Sequence, residues 1–214
     1  MTLTIIGHGA VRETFNRHIA LWESLVVSKG HWITLSPEDD PLLLRYPIWT
    51  DARIGKASHS GLESLKRLRW LLKHLSLAKQ VRYHLIFEYD SFLTSGPTVS
   101  GNGLAGILFE NKEPKRFSAE VYPNPPWLID HASLVRMNDT ASAYREVTEE
   151  GHADRWLAAI AKLARVPIIP YQPPGFSRGT ITEADYPELE AAIKRGTTAF
   201  HGVKDKQTLD LITR

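Results

Sequence analysis

Apolar positions along this chain alternate between strand-like runs and helix-like spacing from the first residues onward. Leu3 to Gly7 is a short apolar run ending in Gly7-His8-Gly9, which predicts a buried strand. Val11, Phe15, Ile19, Trp22 and Val26 then recur at helical spacing, with Gly30 as the stop. His31-Trp32-Ile33-Thr34-Leu35 predicts a second strand, which runs into the proline-bracketed acidic turn Ser36-Pro37-Glu38-Asp39-Asp40-Pro41. A strand-helix-strand opening predicts an α/β layer with parallel strands, where ligands collect at the carboxyl ends of strands. Gly7, Asp39 and Glu88 would all lie at that edge.

Residues 42–59 carry no clear period and read as loop. Leu62, Leu65, Leu68, Leu72 and Leu75 then form the apolar stripe of a helix. Its other face carries Lys66, Arg67, Lys73 and His74, with Lys79 and Arg82 just beyond. This basic face reads first as a solvated surface and second as a patch for phosphate, of a nucleotide or a nucleic acid. The apolar run His84-Leu85-Ile86-Phe87 follows and stops abruptly on Glu88-Tyr89-Asp90. In an extended segment Glu88 and Asp90 share a parity, so both carboxylates would point to one side. Two hard oxygen donors on one edge suit a divalent cation such as Mg²⁺ or Mn²⁺, although solvated strand-end acids are common.

Leu104 to Glu110 and Phe117 to Tyr122 predict two more strands around a charged turn. Tyr122-Pro123-Asn124-Pro125-Pro126-Trp127 is expected to be irregular, because its prolines lack amide donors. It reads equally as the wall of a sugar or base pocket and as a rigid core corner. Ala132 to Val147 is helical in pieces, and an amphipathic helix carries Trp156, Leu157, Ile160 and Leu163. Glu149, Glu150 and Asp154 lie near its start, where acids complement the helix dipole or could act as a general base. Pro167 to Tyr171 predicts a short strand, and Gln172 to Thr180 a Pro/Gly loop carrying Arg178. Asp185-Tyr186-Pro187-Glu188 resembles a capping box, and Gly196 ends the helix it opens. In the tail, His201 followed by Gly202 and Lys204 offers an imidazole ligand and a cation for phosphate.

Composition narrows these readings without selecting one. The chain has 214 residues, 43% of them hydrophobic and 23% charged, within the ordinary globular range. The absence of cysteine excludes a disulfide framework, a thiolate metal site and a thiol nucleophile, and fits a reducing, cytoplasmic setting. The first residues lack the basic start of a signal peptide, and no apolar run reaches the length of a membrane span. A net charge of +2 does not argue for nucleic-acid binding. There is no Gly-x-Ser-x-Gly elbow, no P-loop and no Gly-x-Gly-x-x-Gly fingerprint.

The order of elements, with an apolar strand entering an acid-x-Asp pair and a late His followed by Lys, resembles the GT-A-fold glycosyltransferases. That resemblance implies one α/β domain over residues 1–214, with a central mixed, mostly parallel sheet flanked by helices. Residues 1–95 would form its nucleotide-binding half and residues 96–214 its acceptor side. It implies a Mn²⁺ or Mg²⁺ ion on Glu88, Asp90 and His201, and a nucleoside-diphosphate sugar donor, with UDP or GDP as its nucleotide. Gly7, His8, Asp39, Asp40, Arg67 and Lys204 would border or contact that donor. If the enzyme inverts, Asp154 or Glu150 resembles the base. The first acid is Glu where the family's motif has Asp, and the chain is short for the family. The acceptor therefore stays open among saccharide, lipid-linked, protein and nucleic-acid hydroxyls. Two alternatives stand beside this reading: a nucleotidyltransferase of related fold, and a non-catalytic nucleic-acid-binding domain using the basic helix over 62–82. Nucleotidyltransferases usually open on a Gly-rich loop with a basic residue, of which Gly7 to Arg12 is a poor version.

Overall fold

In a computed structural model, the described residues are 2–7, 33–34, 61–78, 81–88, 90–96, 98–112, 119–143 and 152–214. The helix expected over Val11 to Gly30 and the loop expected over 42–59 lie outside them. Strands β1 (Thr2–Gly7), β2 (Ile33–Thr34), β3 (Tyr83–Glu88), β5 (Leu104–Glu110), β6 (Val121–Asp130) and β7 (Ile168–Pro170) form a sheet in the order β2-β1-β3-β6-β5-β7. β4 (Ser91–Leu93), β8 (Phe176–Ser177) and β9 (Ala199–His201) form a second sheet in the order β4-β9-β8. The helices are α1 (Gly61–Ser76), α2 (His131–Ala143), α3 (Ala153–Leu163), α4 (Tyr186–Lys194) and α5 (Lys206–Ile212).

β1 pairs in parallel with both β2 and β3, and β7 with β5, while β6 runs antiparallel to both of its neighbours. Five strands thus share one direction and β6 opposes them, giving the mixed, mostly parallel α/β sheet that the sequence implies. Alternation along β3 divides the core. Ile86 packs with Leu65, Leu68, Leu72 and Leu75 of α1, Leu134 and Met137 of α2, and Trp156, Leu157 and Ile160 of α3. Leu85 and Phe87 face the other way, against Leu93, Ile107, Leu128, Tyr171 and Ala199. Each fully buried leucine of α1 contributes about 1.5–3 kcal/mol relative to exposure. No helix among the described residues is long and apolar enough to cross a membrane.

The proline-rich stretch Tyr122 to Trp127 corrects the sequence reading, since it lies within the ten-residue strand β6. Missing proline donors do not break the strand because of where the prolines fall. The β5–β6 register shifts between Ala105 and Ile107, so Pro125 and Pro126 fall between the paired residues Asn124 and Leu128. Side chains bond two of the proline carbonyls: Trp127 Nε1 donates to Pro123 O at 2.8 Å, and Tyr171 Oη donates to Pro126 O at 2.7 Å. Trp127 itself is buried in the core. A second correction concerns capping. The reciprocal box joins Thr182 and Asp185 around a short 3₁₀ turn, one turn before α4. Gly196 does end that helix, at φ +83°.

The register shift requires a glycine. A Cβ on Gly106 would lie 2.6 Å from Pro123 Cβ and 2.8 Å from Asn124 O. Gly106→Ala is expected to destabilise by about 1–3 kcal/mol in urea unfolding. Gly101→Ala, where a Cβ meets nothing within 4 Å among the described residues, should change stability by less than about 0.5 kcal/mol. Equal effects at the two positions would contradict this account of the bulge.

Candidate functional site

The site forms where the carboxyl end of β3 meets the small sheet. That sheet's short strands alternate apolar and polar positions. Phe92, Phe200 and Phe176 share one register row and pack with Ile181, Leu189, Val203 and Leu209 beneath α4 and α5. The adjacent row is Ser91, His201 and Ser177, which alternation turns to the opposite face.

β3 ends at Glu88, so the Glu88 to Asp90 segment is not the continuous extended pair that parity predicted. Asp90 sits in a turn closed by Ser91, whose Oγ accepts from Glu88 N and donates to Glu88 O, both at 2.9 Å. Such a turn recruits a local hydroxyl to take backbone groups that a longer strand would have paired. The two carboxylates still converge, because the turn hangs on the end of β9. Gly202 N and Val203 N both donate to Asp90 O at 2.9 Å. Gly202 holds φ +91°, and a Cβ there would lie 2.3 Å from Arg178 O.

Glu88, Asp90 and His201 each offer one ligand atom, and these atoms lie within 4.8 Å of one another. His201 Nε2 stands 3.5 Å from Asp90 Oδ1 and 4.0 Å from Glu88 Oε2. Asp90 Oδ1 is buried and has no hydrogen-bond partner among the described residues. Lys204 Nζ lies 3.6 Å from Asp90 Oδ2 and donates to Gly179 O at 2.8 Å and Thr180 Oγ1 at 3.1 Å.

The electrostatics of the cluster are unbalanced. Burial, then the neighbouring charges of Asp90 and Asp154, push the Glu88 carboxyl up to about 8, against a smaller opposing effect of Lys204. Glu88 shares the parity of Ile86, whose face packs against α3, and Asp154 occupies the first turn of that helix. Burial also raises Asp154, while hydrogen bonding from Arg155 N and the charges of His152, Arg155 and His201 oppose the rise. His201 is lowered by burial, so its imidazole is neutral and able to ligate near pH 7. Two acidic side chains, a neutral imidazole and a buried carboxylate oxygen without a partner among the described residues fit a hard or borderline divalent cation such as Mn²⁺ or Mg²⁺, whose binding would displace the Glu88 proton.

Other expected residues are placed unevenly. Gly7 ends β1 one residue beyond Ile6, which is in register with Glu88, so both lie on one sheet edge. His8, Asp39, Asp40 and Glu150 lie outside the described residues, as does the side chain of Arg67 on α1. Among the other basic positions, Lys73 is exposed, His74 Nδ1 lies 2.8 Å from Trp70 O, and the Arg82 guanidinium covers the Tyr83 ring at 5.2 Å. Two residues were missed. Ser177 Oγ lies 3.0 Å from His201 Nδ1 and accepts from Asn124 Nδ2 at 3.0 Å. Ser177 shares the apolar-polar step of Phe200-His201, but two residues are too few for a period to show inside a Pro/Gly-rich stretch, and Asn124 carries no such pattern.

No family model and no curated protein sequence matches the chain. Among solved structures, it is similar at 11% identity and TM-score 0.46 to the apo structure of WbbM, a bifunctional glycosyltransferase, over 95% of this chain and 46% of that one. It thus spans less than half the length of that protein. It is also similar at 11% identity and TM-score 0.41 to 4-diphosphocytidyl-2C-methyl-D-erythritol synthase, over 90% of this chain and 99% of that one.

The raised carboxyl makes stability depend on pH. Glu88 keeps its proton to about pH 8 when folded and to about 4.5 when unfolded. The resulting stabilisation is complete below 4.5 and is lost as pH rises through 8. His201 acts oppositely, its lowered folded pKa favouring folding as pH rises toward 6.5. From pH 6.5 to about 8 the carboxyl dominates, so metal-free stability in urea should fall with pH, and Glu88→Gln should flatten the fall. An unchanged slope in Glu88→Gln would place the titrating group elsewhere.

Proposed function

We propose that this chain is a metal-dependent glycosyltransferase moving a sugar from a nucleoside-diphosphate sugar to a hydroxyl acceptor. The observation that carries the reading is the convergence of Glu88, Asp90 and His201 at the carboxyl end of β3, with Asp90 Oδ1 orphaned and Lys204 alongside. In this reading the three residues are the cation's ligands, and Gly7 borders the nucleotide from the neighbouring strand end. Residues 1–95 hold the donor and residues 96–214 supply the acceptor side of a single domain.

When bound, the cation would offset the charge that develops on the departing nucleoside diphosphate. Lys204 adds a second positive charge beside Asp90, held in place by Gly179 O and Thr180 Oγ1 before any donor arrives. The acceptor oxygen bonds to the anomeric carbon as the bond to the donor's phosphate oxygen breaks, and that electron pair leaves on the diphosphate. The acceptor's proton passes to a carboxylate in the inverting form of this reaction. Asp154 is the candidate, because a carboxylate raised by burial is the stronger base.

A nucleotidyltransferase would place its nucleotide at the same edge, and ligand preference separates the two. Thermal unfolding with nucleoside diphosphates, their sugars and nucleoside triphosphates, each with and without Mn²⁺, is the test. A midpoint rise that needs both a nucleoside diphosphate and Mn²⁺ is expected, since a ligand binding only the native state stabilises by about 2.7 kcal/mol at one hundred times its Kd. Asp90→Ala should abolish that rise while keeping the metal-free midpoint, and His201→Ala should reduce it. A response to triphosphates alone would favour the nucleotidyltransferase. Asp90→Ala binding diphosphate and Mn²⁺ as tightly as the wild type would overturn the site.

A further inference from the structure

Ser177 stands where it can control His201 without being a candidate ligand. The parallel pairing of β8 with β9 sets Ser177 directly opposite His201, and the Phe176–Phe200 pair one step away is buried beneath α4 and α5. Residue 177 therefore cannot slip to another face without pulling Phe176 out of that core. Its Oγ lies 3.0 Å from Nδ1, the ring nitrogen turned away from the acids, while Nε2 is the nitrogen facing Asp90 and Glu88. Ser177 is 4% exposed, so little water is available to replace the hydroxyl.

Asn124 completes the arrangement from the large sheet. Its Nδ2 donates to Ser177 Oγ at 3.0 Å. Asn124 lies in β6 between Pro123 and Pro125, where proline restricts the backbone on both sides. A hydroxyl can accept two hydrogen bonds and donate one. With Asn124 on one lone pair, Ser177 Oγ can still donate to a bare Nδ1 or accept from a protonated one. A ligating imidazole needs that second case: with Nε2 given to the cation, the proton of the neutral ring resides on Nδ1 and requires an acceptor.

We propose that Ser177, oriented by Asn124, is a positioning residue that accepts from His201 Nδ1 and so fixes the ring with Nε2 presented to the Glu88–Asp90 pair. The inference rests on the proposed cation site and extends it to two residues that touch neither donor nor cation. It makes the hydroxyl, rather than the volume of the side chain, the feature that matters at position 177.

The test is Mn²⁺ binding by the full chain, followed through the electron paramagnetic resonance signal of free Mn²⁺ with no nucleotide present. Thermal midpoints measured without metal report the fold. Ser177→Ala is expected to weaken Mn²⁺ binding about 10- to 100-fold, the range typical of lost support behind a ligating histidine, with its midpoint near that of the wild type. Ser177→Thr, which keeps the hydroxyl, should bind nearly as tightly as the wild type. Asn124→Ala leaves residue 177 unaltered and should produce a smaller loss in the same direction. If Asp90→Ala loses Mn²⁺ while Ser177→Ala binds like the wild type, the proposal is overturned and the cation site stands. Equal weakening in the Ala and Thr variants at unchanged midpoints would also overturn it, because shape would then be the cause. A wild type that binds no Mn²⁺ at millimolar concentration would overturn both readings.

Discussion

Alternation in three very short strands is the constraint on which the site depends. Phe92, Phe200 and Phe176 form one row across the small sheet and sink into the core beneath α4 and α5. Because strand side chains alternate, the next row must face the other way, and that row is Ser91, His201 and Ser177. Each member then has a task near the cluster. Ser91 closes the turn that carries Asp90, His201 faces the two acids, and Ser177 stands behind the imidazole. The hydrophobic effect on one face thus orients the polar chemistry on the other.

The two strand ends are joined by backbone rather than by side chains. Asp90 O accepts from both Gly202 N and Val203 N, tying the turn after β3 to the turn after β9. Gly202 makes this possible, since its positive φ and the nearby Arg178 carbonyl leave no place for a Cβ. A junction built from amides holds the carboxylates and imidazole close without using their ligand atoms. It also holds them where they repel: Glu88, Asp90 and Asp154 outnumber Lys204, and His201 is neutral. Burial, with the charges of Asp90 and Asp154 added to it, is what raises the Glu88 carboxyl.

The fold was legible in the sequence where periodicity was long or strongly apolar. The leucine stripe of α1, the apolar run of β3 and the amphipathic α3 all form as their spacing implies. The acids and the histidine were legible as chemistry, and their convergence came from a family resemblance in the order of elements. Parity puts Glu88 and Asp90 on one side of a strand; their carboxylates do lie close, but Asp90 reaches that place from a turn. Ser177 and Asn124 were not legible. Their strands are either two residues long or interrupted by proline, too short or too irregular for a period to show.

The misread strand β6 shows why such segments escape a local reading. Proline removes a donor, yet a strand needs donors only where a partner waits to accept them. At the β5–β6 register shift no partner waits, Gly106 admits the crowded backbone, and Trp127 and Tyr171 take the proline carbonyls. The same strand carries Asn124, at the edge of the shift, whose Nδ2 donates to Ser177 Oγ. A uniform ladder pairs its backbone within the sheet and gains nothing from a polar side chain at mid-strand. A bulged and proline-stiffened one can hold such a side chain at a fixed place beyond the sheet's own plane. The stretch whose prolines argue against regular structure, Tyr122 to Trp127, thus also holds the residue that links the large sheet, through Ser177, to the histidine of the small one.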